Sequence, residues 1–332
     1  MKTTKPAYYD SFRCIAGRCP DSCCHEWAVV VDDGAAAYYQ SLPGDLGDKL
    51  RQHLKEEDEE MILSLKGDGR CPMWRMDGLC RIQAELGEKA LCKTCREFPR
   101  IVHDYGDFQE LQLELSCPEA ARMILSEEGE PVTETMDIPG VAEYDAEAME
   151  ILLRTRQEAF SLLRRKDIGV AEALALLLLY GHSVQNELDT GDPSEASGVD
   201  RLVQLRRMCN GAEASTLIAF YEELNILTDR WREALATPVY GEWQEAHLCI
   251  ARYFVNRYWL QAVSDYDLVS RVKLVICSVL LIKTLGGDVQ QKAQLYAKEI
   301  ENDAENVDAI LDGAYDSPAL TDMYLLSLLL GG

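Results

Sequence analysis

Histidine is scarce in this chain, five residues in 332, which argues against metal sites built on imidazole such as a Cys2His2 zinc site. Long apolar runs are missing as well. The run Leu174–Tyr180 falls far below the roughly 20 residues that a bilayer span needs, so no membrane association is expected. No apolar stretch follows Met1-Lys2-Thr3-Thr4-Lys5-Pro6, so a secretory signal is not expected either. Phosphate-cradling glycine motifs, a G-x-S-x-G elbow and an H-E-x-x-H helix are all lacking, and Gly44-Asp45-Leu46-Gly47 and Gly67-Asp68-Gly69 read as turns. Base is short: 33 Lys and Arg stand against 57 Asp and Glu, a net charge of −24. A nucleic-acid surface needs the opposite balance, whereas a basic protein partner suits it, as does plain solubility.

Cysteine is what the chain has in excess. It holds twelve, nine of them before residue 118. Without an export signal the expected compartment is the cytoplasm, where disulfides rarely persist and clustered thiols are more often metal ligands. The spacing is Cys14-x4-Cys19-x3-Cys23-Cys24, Cys71-x8-Cys80, Cys92-x2-Cys95 and Cys117. Proline follows Cys19, Cys71 and Cys117, which keeps those cysteines on extended or turn backbone, as ligand loops require. Thiolates are soft ligands, so all-thiolate zinc and an iron–sulfur cluster both fit this pattern. The three-cysteine motif of radical S-adenosylmethionine enzymes is absent, because Cys24 directly follows Cys19-x3-Cys23. Neighbours Cys23 and Cys24 point different ways, so one can serve a cluster while the other serves a second centre or packs inside. Cys209, Cys249 and Cys277 lie in apolar helical patterns and read as buried free thiols.

These features divide the chain into a Cys-rich region (1–125), an acidic connector (126–144) and a helical domain (145–332). Residues 126–150 carry nine acids and no base. The expected fold is mainly α: an irregular helical domain with a small Cys-rich α+β metal-binding region at its N-terminal side. In the first region we expect a strand over Trp27–Asp32, helices over Ala35–Leu42 and Leu46–Leu65, and a hairpin flanking Tyr105-Gly106-Asp107. In the second, apolar spacing predicts helices over 145–166, 170–187, 200–210, 212–235, 240–263, 267–285 and 289–302. His25 reads as an exposed loop histidine. Arg100 and Arg122 are candidates to pair with a cofactor carboxylate or to neutralise thiolate charge. Tyr8, Tyr9, Phe12 and Trp27 read first as packing, with a lysine-binding aromatic cage as the sharper alternative.

Several motifs together resemble a known family. Phe12-Arg13-Cys14-Ile15, Cys19-Pro20-Asp21-Ser22-Cys23-Cys24 with Trp27, and Val31-Asp32 resemble the opening of flagellin lysine-N-methylases, the FliB family. Cys71-Pro72-Met73, Asp77-Gly78-Leu79-Cys80-Arg81-Ile82-Gln83, Thr94-Cys95-Arg96-Glu97-Phe98-Pro99-Arg100 and Leu115-Ser116-Cys117-Pro118-Glu119 follow in the same order and spacing. The resemblance covers about residues 8–123. It implies a protein-lysine N-methyltransferase that uses S-adenosylmethionine and a [4Fe-4S] cluster, with flagellin as substrate. The ligand set it implies is Cys14, Cys19, Cys23, Cys24, Cys71, Cys80, Cys95 and Cys117. The family pattern has a single cysteine before Phe98-Pro99-Arg100, so Cys92 is set aside as an extra of this chain. A non-catalytic iron–sulfur or zinc module for electron transfer or protein interaction is the alternative.

Overall fold

The structure, a computed structural model, describes residues 2–57, 60–126, 132–135, 140–196 and 198–331. It is mainly helical, with strands confined to the first 135 residues. Strand β1 (Lys2–Lys5) precedes the first cysteine loop. After that loop come β2 (Val29–Val30), α1 (Asp33–Ser41) and α2 (Gly44–His53). Asp32 starts α1 by accepting the Ala35 N–H at 3.0 Å, an ordinary N-cap.

The helix expected over Leu46–Leu65 is half a helix. It ends at His53, and Leu54–Glu57 (β3) and Glu60–Leu63 (β4) form an antiparallel hairpin whose link, 58–59, lies outside the described residues. The competing pull is tertiary: Ile62 and Leu63 pair with Val30 and Val29 of β2, which makes β4 the central strand of a three-stranded sheet and buries both residues. Two short helices follow, α3 (Arg81–Leu86) and α4 (Lys93–Glu97). The expected hairpin is present as β5 (Arg100–Asp104) and β6 (Phe108–Leu113), and α5 (Pro118–Leu125) begins with proline at its first turn. Within the acidic connector, Val132–Thr135 forms β7 and pairs antiparallel with β1; residues 127–131 and 136–139 of the connector lie outside the described residues. The second sheet therefore runs β5-β6-β1-β7, with β1 parallel to β6.

The helical domain comprises α6 (Ala146–Leu163), α7 (Val170–Thr190), α8 (Val199–Met208), α9 (Ser215–Glu222), α10 (Asp229–Ala236), α11 (Glu245–Tyr258), α12 (Leu268–Leu285), α13 (Val289–Ile300), α14 (Ala304–Asp316) and α15 (Asp322–Leu330). The single helix expected over 212–235 is two. Thr228 caps α10 by accepting the Trp231 N–H, and the intervening turn is held from outside: Glu299 accepts from Leu227 N at 2.8 Å and Asn306 from Asn225 N at 2.8 Å. Helix α12 is apolar all round and buried along almost its whole length, the pattern of a central helix. Gly181 of α7 lets it lie close: a Cβ there would meet Val272 Cγ2 at 2.8 Å.

Two hydrophobic cores result. The larger gathers the helices and draws in Tyr9, Phe12, Leu113, Leu115, Cys117 and the buried face of α5. The smaller lies wholly within residues 24–92 and is built around Val29, Val31, Tyr39, Leu50, Leu63, Cys71, Met73 and Cys92. No helix among the described residues is long and apolar enough to cross a membrane.

Candidate metal centre

Local backbone chemistry brings the cysteine loops together. The Cys71 N–H donates to Cys24 O at 2.8 Å and the Glu26 N–H to Gly69 O at 2.8 Å, so the first loop and the Cys71 loop lie side by side. Glu26 takes a positive φ of 72° to make this turn. The Cys71–Cys80 loop closes on itself: Trp74 and Cys80 form an isolated bridge, Arg75 N donates to Leu79 O at 2.9 Å, and Arg81 N to Met73 O at 2.7 Å. Its tip presses on the Cys14–Cys19 turn through two glycines. A Cβ on Gly17 would sit 2.7 Å from Asp77 O, and one on Gly78 2.8 Å from the Gly17 Cα, so neither position tolerates a side chain without movement. The Cys92–Cys95 segment is fixed by Asp32, whose second oxygen accepts the Lys93 N–H at 2.7 Å, and by Thr94 Oγ1, which donates to Val30 O at 2.9 Å.

All eight cysteines expected as ligands gather at this one end of the molecule, and Cys92 lies among them. The residue set aside on sequence is buried, neighbours Cys80 and exchanges a hydrogen bond with Cys95. The thiols fall into two groups. Cys14, Cys19, Cys23 and Cys117 feel one another's charge, and Cys24, Cys71, Cys80, Cys92 and Cys95 do likewise, with Cys95 also within reach of Cys23. Cys23 and Cys24 hydrogen-bond to each other where the groups meet. Cys23 is exposed as a residue, with its thiol turned in against its neighbour.

Protons are unequally shared in this cluster. Hydrogen bonds from Cys23 and Cys71 draw Cys24 down to about 3, so it is the anion that its partners solvate; the same bonds push Cys23 and Cys71 up. Cys95 does the same for Cys92, which falls to about 7. Burial raises Cys117 to about 11, although the Glu119 and Ala120 N–H groups at the start of α5 point at its sulfur. Cys80, at the N-cap of α3, likewise accepts from Ile82 and Gln83. Sulfurs that already accept backbone N–H groups at helix starts are placed to bind a cation as thiolates. No three of the nine sulfurs lie within 4.8 Å of one another.

A charged seam joins this region to the helical domain. Asp21 accepts from Arg230 Nη2 (3.0 Å), Gln294 Nε2 (2.9 Å) and Lys298 Nζ (3.0 Å). Glu26 accepts from the same Arg230 and Lys298, each at 2.9 Å. Burial pushes the Asp21 carboxyl up, but these cations outweigh it and hold it below its ordinary range. His25 lies beside Glu26 at 3.4 Å and packs on Trp74, so it is half-buried rather than exposed. Asp21, His25 and Glu26 are close enough to chelate a cation, yet both carboxylates are already neutralised by Lys298 and Arg230. Sequence reasoning passed over this seam: Asp21 was visible only as part of a motif, and Arg230, Gln294 and Lys298 carry no local signal.

The remaining candidates resolve simply. Arg122 pairs with Glu119, and Arg100 stacks over Tyr9 and Phe12, which pack in the larger core; Trp27 packs on Phe98. Packing, the first reading of these aromatics, is what the structure gives them. Cys209, Cys249 and Cys277 lie in the helical domain; Cys209 and Cys277 are buried, and Cys277 accepts from the Tyr221 hydroxyl at 3.2 Å. A cavity of about 1320 Å³ opens between β1, β6, α5, α6 and α11. Its wall includes a buried pair, Arg156 and Glu110 at 2.5 Å, and two buried polar atoms, Gln112 Oε1 and Arg156 Nε, without partners among the described residues.

Fold and site together define a mainly helical protein with a cluster of cysteine thiols at one end. Comparison with known proteins supplies its kin. The chain is 33% identical over 135 residues to the flagellar biosynthetic protein FliU of Salmonella muenchen, covering 38% of this chain and 79% of that protein. It is equally similar over 135 residues to proteins named lysine-N-methylase from Salmonella typhimurium and Salmonella choleraesuis, where the match spans 33% of their length. The chain belongs to the lysine-N-methylase (FliB) family. No family model and no solved structure matches it.

Proposed function

We propose that the chain is a protein-lysine N-methyltransferase that takes its methyl group from S-adenosylmethionine, acts on flagellin, and holds a [4Fe-4S] cluster on its N-terminal thiols. The gathering of nine thiols at one end, in a chain whose relatives are named for lysine methylation and flagellar biosynthesis, carries this reading. The donor set fits the cluster: soft sulfur ligands on extended backbone, several already accepting N–H groups. When bound to these thiols, the cluster would supply a polarising, redox-capable centre. The target lysine attacks only as the free amine, so its ammonium proton must leave first. Desolvation of the amine favours that loss. The acidic surface draws a lysine-bearing partner toward the protein.

Incubating anaerobically purified protein with flagellin and S-adenosylmethionine should add single-methyl mass increments to flagellin lysines. Unmodified flagellin, with metal still bound to the protein, would reject the reading. It would favour instead a non-catalytic metal module, to which the deep burial of Cys71 and Cys92 in the small core also lends itself.

A further inference from the structure

Nine sulfurs are too many for one centre with four terminal ligands, and the fold separates them. Cys71 and Cys92 are buried in the small core, and Cys24 and Cys80 pack against it. Cys117 belongs to the larger core, at the first turn of α5. The other cysteines follow these two anchors. Cys24 is tied to Cys71 through backbone and thiol alike, whereas Cys14, Cys19 and Cys23 have Cys117 as a neighbour. The chain crosses from one group to the other within the Cys23-Cys24 dipeptide.

We propose that the thiols form two separate metal centres: a seam centre on Cys14, Cys19, Cys23 and Cys117, and an inner centre on Cys24, Cys71, Cys80 and the Cys92–Cys95 pair. The proposal rests on the metal-binding part of the reading above and is independent of methyl transfer. The two centres have different work. The inner one is anchored in the small core by Cys71 and Cys92, 6% and 3% exposed, so it staples a core of only twelve buried residues. The seam centre draws three ligands from the first loop and one from α5, so it clamps the loop to the helical domain, and its Cys14 is open to solvent. Five sulfurs surround the inner centre, so Cys92 is the ligand that Cys95 can spare, or its hydrogen-bonding neighbour.

Metal analysis on the full chain, purified anaerobically and reconstituted with iron and sulfide, tests this. Iron, sulfide and zinc per chain should exceed what one four-iron cluster accounts for. A Cys14→Ser/Cys117→Ser double variant should lose the seam centre's share and keep the inner centre's optical and paramagnetic signals; Cys71→Ser/Cys80→Ser should do the reverse. Wild-type protein holding the metal of one cluster alone would overturn the proposal, whatever the variants do. So would loss of all metal from the Cys14→Ser/Cys117→Ser protein while its helical circular dichroism stays intact. Failure of the methylase reading would show instead as unmodified flagellin with the metal count unchanged.

Discussion

The two cores are built on different principles. In the helical domain Trp231, Trp259, Tyr180, Tyr221, Tyr296 and Phe254 are almost wholly buried, and large apolar side chains hold the helices together. The small core has twelve buried residues, and two of them are cysteines. Its elements are short, and its loops are positioned by single contacts: a capping aspartate that serves two segments, two glycines in van der Waals contact, a backbone bond between Cys71 and Cys24. A core of that size gains little from burial alone and needs cross-links. The helical domain can stand on packing; the cysteine region leans on its thiols and on the seam.

Five substitutions break or sharpen this contrast. The largest effect belongs to Lys298→Ala, which removes the buried cation of the seam and leaves Asp21 and Glu26 sharing the half-exposed Arg230. Removing one partner of a buried ion pair costs about 3–5 kcal/mol, and Lys298 is 5% exposed as a residue. Urea unfolding should show that loss, with the cysteine region opening first to proteolysis. Arg230→Ala, at a half-exposed cation, should cost less than about 1 kcal/mol. Equal losses for the two would contradict the buried seam. Leu281→Ala strikes the other core and should cost about 2–5 kcal/mol with metal content unaltered.

Glu114→Gln is smaller and depends on pH. Burial, with help from Glu301, raises Glu114 to about 7 in the fold. Between its unfolded value near 4.5 and about 7, the folded protein holds a proton that the unfolded chain has released. Stability from this group is therefore full below the lower value and falls as pH rises toward 7. A shift of that size is worth on the order of 3 kcal/mol. The variant should flatten that fall in a urea series from pH 5 to 8; an unchanged slope would remove Glu114 as its source. Least of all should Cys249→Ser matter: metal content unchanged and stability within about 0.5 kcal/mol.

Much of this contrast was legible in the sequence. Cysteine spacing, prolines after three of the thiols and the apolar periodicity of residues 145–302 point to a thiolate region beside a helical domain, and the hairpin around Tyr105-Gly106-Asp107 is where its turn residues put it. The misses share a cause. Leu54–Leu63 keeps a helical pattern, but pairing with Val29 and Val30 decides it. The break after α9 depends on Glu299 and Asn306, more than seventy residues away in sequence. Helices α14 and α15 were not expected, although Asp303 and Thr321 cap them in the usual way. Cys92, set aside because the family pattern lacks it, lies buried beside Cys80 and Cys95, a position its spacing did not reveal. The seam was illegible, because none of its cations stands near a motif.

That seam also sets a timetable. Asp21 waits for Arg230, 209 residues further along the chain, and for Lys298, 277 residues further. At roughly 5–20 residues per second of synthesis, the first cysteine loop is outside the ribosome for somewhere between a quarter of a minute and a minute before Lys298 exists. During that interval its thiols are unclamped and open to oxidants and stray metal ions. The four residues Asp21, Glu26, Arg230 and Lys298 therefore act as a latch that closes only once most of the chain has been made.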